Sequence, residues 1–146
     1  MEWLKDLRNK VVGLDTAPLI YFIEENPGYL HVVQPFFEAV AKGSFRTVTS
    51  SLTIAEVLVQ PFRKGNKKLV EEYLTLLLNA ESLFTIDVTP EIAETAARLR
   101  AEHNMRTPDA IQVATAVNEG ASFFLTNDSR LKSIKDLRVL VLSDLK

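Results

Sequence analysis

Short apolar runs alternate with longer stretches of helical spacing along this whole chain, and no other feature restricts the fold as much. Strands separated by helices pair with each other through crossovers, so the pattern predicts an α/β fold with a parallel sheet. Strands are expected near Val11–Leu14, Arg46–Thr49, Leu83–Asp87, Phe123–Thr126 and Arg138–Leu142. Most are unbroken apolar runs, as strands covered on both faces require. Helices are expected over Ala17–Glu25, Tyr29–Lys42, Leu52–Phe62, Asn66–Ala80, Pro90–His103 and Thr107–Glu119. Their ends are punctuated by Pro18 in a first turn, by Asn26-Pro27-Gly28, by Gly43 and Gly120, and by the starts Thr89-Pro90 and Thr107-Pro108. The chain is 146 residues long, 47% hydrophobic and 25% charged, which suits one ordered domain, residues 1–146, with one core. Residues 1–10 form an extra lead-in with Trp3, Leu4 and Leu7 on one side, expected to cover an edge of that core.

Several function classes drop out on composition. The chain has no cysteine, which excludes disulfides and thiolate metal sites and fits a cytoplasmic protein. Its 2 histidines, His31 and His103, have no metal-ligand spacing, so a zinc site built on imidazole is not expected. No apolar stretch reaches the ~20 residues of a membrane span, and no signal peptide is expected from Met1-Glu2-Trp3-Leu4-Lys5-Asp6. There is no GxGxxG or GxxxxGK[ST] phosphate cradle, and Thr49-Ser50-Ser51 has no partnered histidine. The net charge of −2 argues against non-specific nucleic-acid binding by charge alone. It leaves room for a local basic surface, such as Arg63-Lys64-Gly65-Asn66-Lys67-Lys68, which reads either as a solvated loop or as a phosphate contact.

Four acids stand where catalytic carboxylates would stand. Asp15 closes the first strand and Asp128 follows the fourth, so both mark carboxyl ends of strands, the edge at which open parallel sheets bind ligands. Asp109 opens a helix whose start can point to the same edge. Glu56 lies well inside its helix, between Ala55 and Val57. Taken singly, Asp15 and Asp128 read as caps, and Asp109 as a first-turn acid favoured by the helix dipole. Glu56 is either on a solvated face or a buried carboxylate in need of a partner. Gathered at one edge, the four would repel one another and resist ionisation. A hard divalent cation with oxygen ligands would remove that penalty.

The residues around these acids resemble a known family. An apolar strand ending in Asp15-Thr16, then Thr49-Ser50-Ser51-Leu52-Thr53-Ile54-Ala55-Glu56, Thr107-Pro108-Asp109-Ala110-Ile111-Gln112-Val113-Ala114-Thr115-Ala116 and Leu125-Thr126-Asn127-Asp128-Ser129-Arg130-Leu131 occur in the order and rough spacing of PIN-domain nucleases, especially VapC-type toxins. The resemblance runs from about residue 11 to the C-terminus, and it departs from the family in placing the first acid as late as residue 15. It implies a PIN-like three-layer sandwich and a Mg²⁺- or Mn²⁺-dependent endoribonuclease. It implies that Asp15, Glu56, Asp109 and Asp128 are the metal-holding catalytic acids. Thr126 would support them by hydrogen bonding, with Thr16 and Asn127 alongside. RNA is the implied substrate and a small antitoxin protein the implied partner.

On this reading Asp15 and Asp109 are the most direct ligands, and Glu56 and Asp128 complete the site directly or through water. Two other readings stay open. One is a non-catalytic protein- or RNA-binding module whose acids are caps. The other is a Mg²⁺-dependent small-molecule phosphatase, disfavoured because Ala17 stands where a second aspartate would be needed. The helices Tyr29–Lys42 and Asn66–Ala80 carry more apolar side chains than one small sheet can cover, so a homodimer through them is expected. A hairpin of the two helices within one chain would account for the same residues.

Overall fold

A computed structural model describes residues 1–146. A short helix, α1 (Glu2–Asp6), leads into β1 (Val11–Leu14), α2 (Thr16–Ile23) and α3 (Leu30–Ala41). Then come β2 (Arg46–Ser50), α4 (Leu52–Val57), α5 (Val59–Arg63), α6 (Lys67–Asn79) and β3 (Leu83–Ile86). The rest comprises α7 (Pro90–His103), α8 (Thr107–Asn118), β4 (Phe123–Thr126), a 3₁₀ segment at Ser129–Ser133, β5 (Arg138–Val141) and a second 3₁₀ segment at Leu142–Asp144. The five strands form one all-parallel sheet in the order β3-β2-β1-β4-β5. Every expected strand is present, displaced by at most one residue at an end.

Successive side chains on a strand point to opposite faces, and here each face meets its own helical layer. Val12, Leu14, Phe123 and Leu125 join a core with α2, α3, α4 and α6. Phe124 joins the other core with Ile92, Ala96 and Leu99 of α7 and Ala110, Val113 and Ala114 of α8. The result is the three-layer sandwich expected from the sequence.

Two expectations need correction. The helix expected over Leu52–Phe62 is two helices that meet at Leu58. Pro61 has no N–H to offer the carbonyl four residues back, at Val57, and its ring crowds that carbonyl, so the first helix ends there. The two apolar helices also form no hairpin: α3 packs on α2, and α6 packs on β3, α4 and α5. The apolar surplus of α3 is absorbed by elements that counting against the sheet alone leaves out, while Leu78 of α6 stays exposed. Phe22 of α2 stacks on Phe37 with ring centroids 4.3 Å apart, and Trp3 of the lead-in stacks on Phe36 at 6.2 Å. Leu7, also in the lead-in, is fully buried in this core.

Candidate active site

The chain leaves β1 toward β2 and leaves β4 toward β5, although β1 and β4 are neighbours. That reversal opens a crevice at their carboxyl ends. Asp15 is the first residue past β1. It caps α2, its Oδ1 accepting a hydrogen bond from the Thr16 N–H at 2.8 Å. Its Oδ2 accepts from the hydroxyl of Thr126, the last residue of β4, at 2.7 Å. Thr126 is fully buried, and its oxygen also accepts from the backbone N–H of Asp128 at 3.1 Å. One hydroxyl thus sets Asp15 and the Asp128 loop relative to each other.

Glu56 approaches from α4. The sequence left its burial open; it is exposed, so the solvated-face reading is the correct one for its surroundings. Its Oε1 nevertheless accepts from the Thr16 hydroxyl at 2.8 Å and from Nε2 of Gln112 at 3.2 Å. Gln112 is the functional candidate that reading the sequence missed. It is buried, it donates to Thr53 at 2.9 Å, and its Oε1 accepts from Ser50 at 3.0 Å. Thr49 continues the chain of hydroxyls, sharing a 2.7 Å hydrogen bond with Thr53 and donating to the Leu14 carbonyl at 3.0 Å. The available signal was a lone amide on the buried face of α8, one turn after Asp109.

Asp109 and Asp128 lie on the outer side of the crevice and line a small cavity of about 80 Å³ with His103, Arg106 and Arg130. Asp109 is paired with Arg106 at 3.0 Å and Asp128 with Arg130 at 2.7 Å. The Arg130 hydrogen bond, more than any other influence, holds the Asp128 carboxyl below the ordinary carboxylate range. Asp15 goes the other way. Burial pushes its carboxyl up, the hydrogen bonds from Thr126 and Thr16 only partly offset that, and the charges of Asp109 and Glu56 push it further up. The four acids are therefore brought to one crevice, with Thr16 and Thr126 bonded into it. Asn127 is not: its Nδ2 donates to the Tyr21 hydroxyl at 3.3 Å and its Oδ1 accepts from the Ser143 N–H at 3.1 Å, which ties β4 to the C-terminus.

The donor set suits a hard divalent cation: carboxylate oxygens only, several negative charges, and one carboxyl whose ionisation is opposed by its neighbours. Potential ligand atoms lie closer together elsewhere than in the four acids, within 4.8 Å of one another at Glu102, His103 and Asp136, but Arg98 already bridges Glu102 and Asp136.

A parallel five-stranded sheet between helical layers, with acids at the β1–β4 crevice, defines a class of protein. The sequence model of the PIN domain family matches residues 12–137, and the chain belongs to that family. No curated protein sequence matches the chain. Its fold is similar to that of VapBC2 from Rickettsia felis, solved bound to a DNA fragment from their promoter, with 21% identity over 90% of this chain and 98% of that one and a TM-score of 0.69. It is similar to DNA-bound VapBC from Salmonella typhimurium, with 20% identity over 92% of this chain and 98% of that one and a TM-score of 0.67. It is also similar to VapC20 of Mycobacterium tuberculosis, a sarcin–ricin loop cleaving toxin, with 14% identity over 88% of this chain and 98% of that one and a TM-score of 0.67. At these identities the likeness is one of fold. No helix is long and apolar enough to cross a membrane.

Proposed function

We propose that the chain is a Mg²⁺- or Mn²⁺-dependent endoribonuclease and the toxin of a VapBC-type toxin–antitoxin pair. The observation that carries this reading is Asp15, set between two strands and opposed in its ionisation by burial and by Asp109 and Glu56. A cation bound to Asp15 would relieve that conflict. Asp15, Glu56, Asp109 and Asp128 would hold the ion. It would lower the pKa of a bound water and neutralise charge developing on the phosphate. Thr126 and Gln112 orient Asp15 and Glu56 through the hydrogen bonds described above. Glu56 is held by one oxygen and offers the other, which suits it to accept the proton of the attacking water. RNA as substrate rests on the fold shared with an RNA-cleaving toxin and on the family pattern of the four acids. In purified protein with Mg²⁺, Asp109→Asn should lower the RNA cleavage rate by more than about a hundredfold with its helical signal unchanged. Cleavage at the wild-type rate would refute the assignment.

A non-catalytic module of the same fold has one observation in its favour: arginines already neutralise Asp109 and Asp128. Both arginines are exposed, and such solvent-screened pairs are weak, so a divalent cation can displace them. The antitoxin is assigned to the apolar groove of about 310 Å³ between α2, α3 and α6, lined by Phe22, Phe37, Val40 and Leu76. The structures with the same fold include toxin–antitoxin complexes, which supports such a partner. Leu76→Glu should prevent co-purification with the product of an adjacent small open reading frame; undiminished co-purification would move the partner elsewhere.

A further inference from the structure

We propose that Arg106 and Arg130 are a substrate phosphate-binding pair that the site's own acids hold in reserve until a cation takes those acids. This rests on the nuclease reading above and adds to it the groups that grip the nucleic-acid backbone.

The two guanidinium groups face one cavity and are coupled across it. Arg106 donates to both oxygens of Asp109, from Nε at 3.0 Å and Nη2 at 3.4 Å. Arg130 donates to Asp128 from Nη2 at 2.7 Å and from Nε at 3.0 Å. Asp128 also feels the charge of Arg106, and Arg130 that of Asp109, so the four groups form one electrostatic unit. Both arginine side chains are about 70% exposed, at 69% and 71%, whereas the acids they hold are at 16% and 23%. Neither guanidinium is packed in place. Arg106 makes no capping bond to α8, and each arginine is a close sequence neighbour of its acid, so it can swing out without moving an element.

Charge balance says when that happens. The four carboxylates outnumber the two guanidinium groups by two charges, so a phosphodiester is repelled from the cation-free site. One divalent cation supplies the missing two charges and competes for the same carboxylate oxygens. The guanidinium groups then lose their partners at the rim of the crevice. Two oxygens of a phosphate match their fork as a carboxylate does, accepting two parallel hydrogen bonds. The cation and substrate would therefore bind cooperatively, with the arginines passing from carboxylate to phosphate.

Two measurements on the full chain test this: Mn²⁺ affinity by calorimetry, and anisotropy of a short single-stranded RNA with Ca²⁺ present, whose larger and less polarising ion slows cleavage. Arg106→Ala and Arg130→Ala should each tighten Mn²⁺ binding several-fold, because a competing cation is gone. Each should weaken RNA binding by roughly three- to tenfold. Each should also make the slope of log affinity against log salt shallower by about 0.7, the value for one lost phosphate contact on a single strand. Arg130→Lys should keep the salt slope and regain part of the affinity. Wild-type salt slopes in both alanine variants, or weaker Mn²⁺ binding in them, would overturn the proposal and leave the arginines as structural partners of the acids. If the wild type itself binds no Mn²⁺ and no RNA, the nuclease reading falls first, and this proposal with it.

Discussion

Thr126 donates to Asp15, accepts from the Asp128 backbone and has no solvent to replace either bond. Thr126→Val keeps its shape and removes both. It should destabilise the protein by about 1–3 kcal/mol in urea unfolding, while Thr126→Ser stays near wild type. Equal stability of the valine and serine variants would deny the hydroxyl its role. Asp15 supplies the sharper test because its sign can be worked out. Its carboxyl is held above the ordinary 3.8, mainly by burial. As pH rises from that value the unfolded chain gives up this proton before the folded one does. The folded state then binds more protons, and its stability falls until pH passes the raised value. Asp15→Asn removes that loss. In chelator at neutral pH it should melt above wild type, and the gap should close as pH drops toward 3.8. A variant that melts at or below wild type at neutral pH would show that Asp15 is not in conflict with its surroundings.

Between elements, the contact of α8 with β1 leaves no room for a side chain at Gly13. A methyl there would overlap the Ala116 Cβ and come within 2.7 Å of the Phe124 ring. Gly13→Ala should cost about 1–3 kcal/mol and displace Asp109 and Gln112, both on α8, from Asp15. Unchanged stability in denaturant would show that α8 can lift freely. On the other face, α6 is clipped to the end of α2 by the Tyr73 hydroxyl, which donates to Glu24 at 2.5 Å. Burial, then the Glu24 bond and its charge, push the Tyr73 hydroxyl above its ordinary 10.0. Above pH 10 the unfolded tyrosine ionises and the folded one does not, so stability should fall with rising pH. Tyr73→Phe should flatten that alkaline limb; an identical limb in the variant would place the loss elsewhere.

For the whole molecule, a cation that binds only the folded state should raise the melting temperature. The gain is about 2.7 kcal/mol at a hundredfold excess over Kd. Millimolar Mn²⁺ should therefore stabilise wild type and leave Asp15→Asn nearly unmoved, and a flat wild-type response would count against the cation. The sequence places a dimer on α3 and α6, but their Phe37 and Leu77 are core residues; we propose instead that any self-association uses α5 and α6, where Phe62 is 66% and Leu78 58% exposed. Substitutions at those buried positions would unfold the chain before they informed on a dimer. Light scattering should show more than the 16.4 kDa of one chain, and Phe62→Glu should return it to that mass. A single-chain mass at every concentration would end the dimer.

Strand positions, the parallel sheet and three of the helices' starts were readable in the sequence because periodicity and helix punctuation are local. Val11–Leu14 and Phe123–Thr126 announce themselves as buried runs, and Pro90 and Thr107 mark helix starts. The four acids were readable as candidates because strand-to-helix junctions in such a sheet share one edge. Which polar groups meet there was decided by the tertiary structure alone. Gln112 reaches Glu56 across a sequence gap of 56 residues, and Thr126 reaches Asp15 across 111. Helical spacing shows only that Gln112 faces inward; the packing of α8 against β1 and β2 sets what it touches. The break at Leu58 is local, set by Pro61, but the exposure of Glu56 and the burial of α3 beneath α2 and Trp3 arise in the same way. Each depends on where separate elements come to rest against one another, and spacing along a single element carries no record of that.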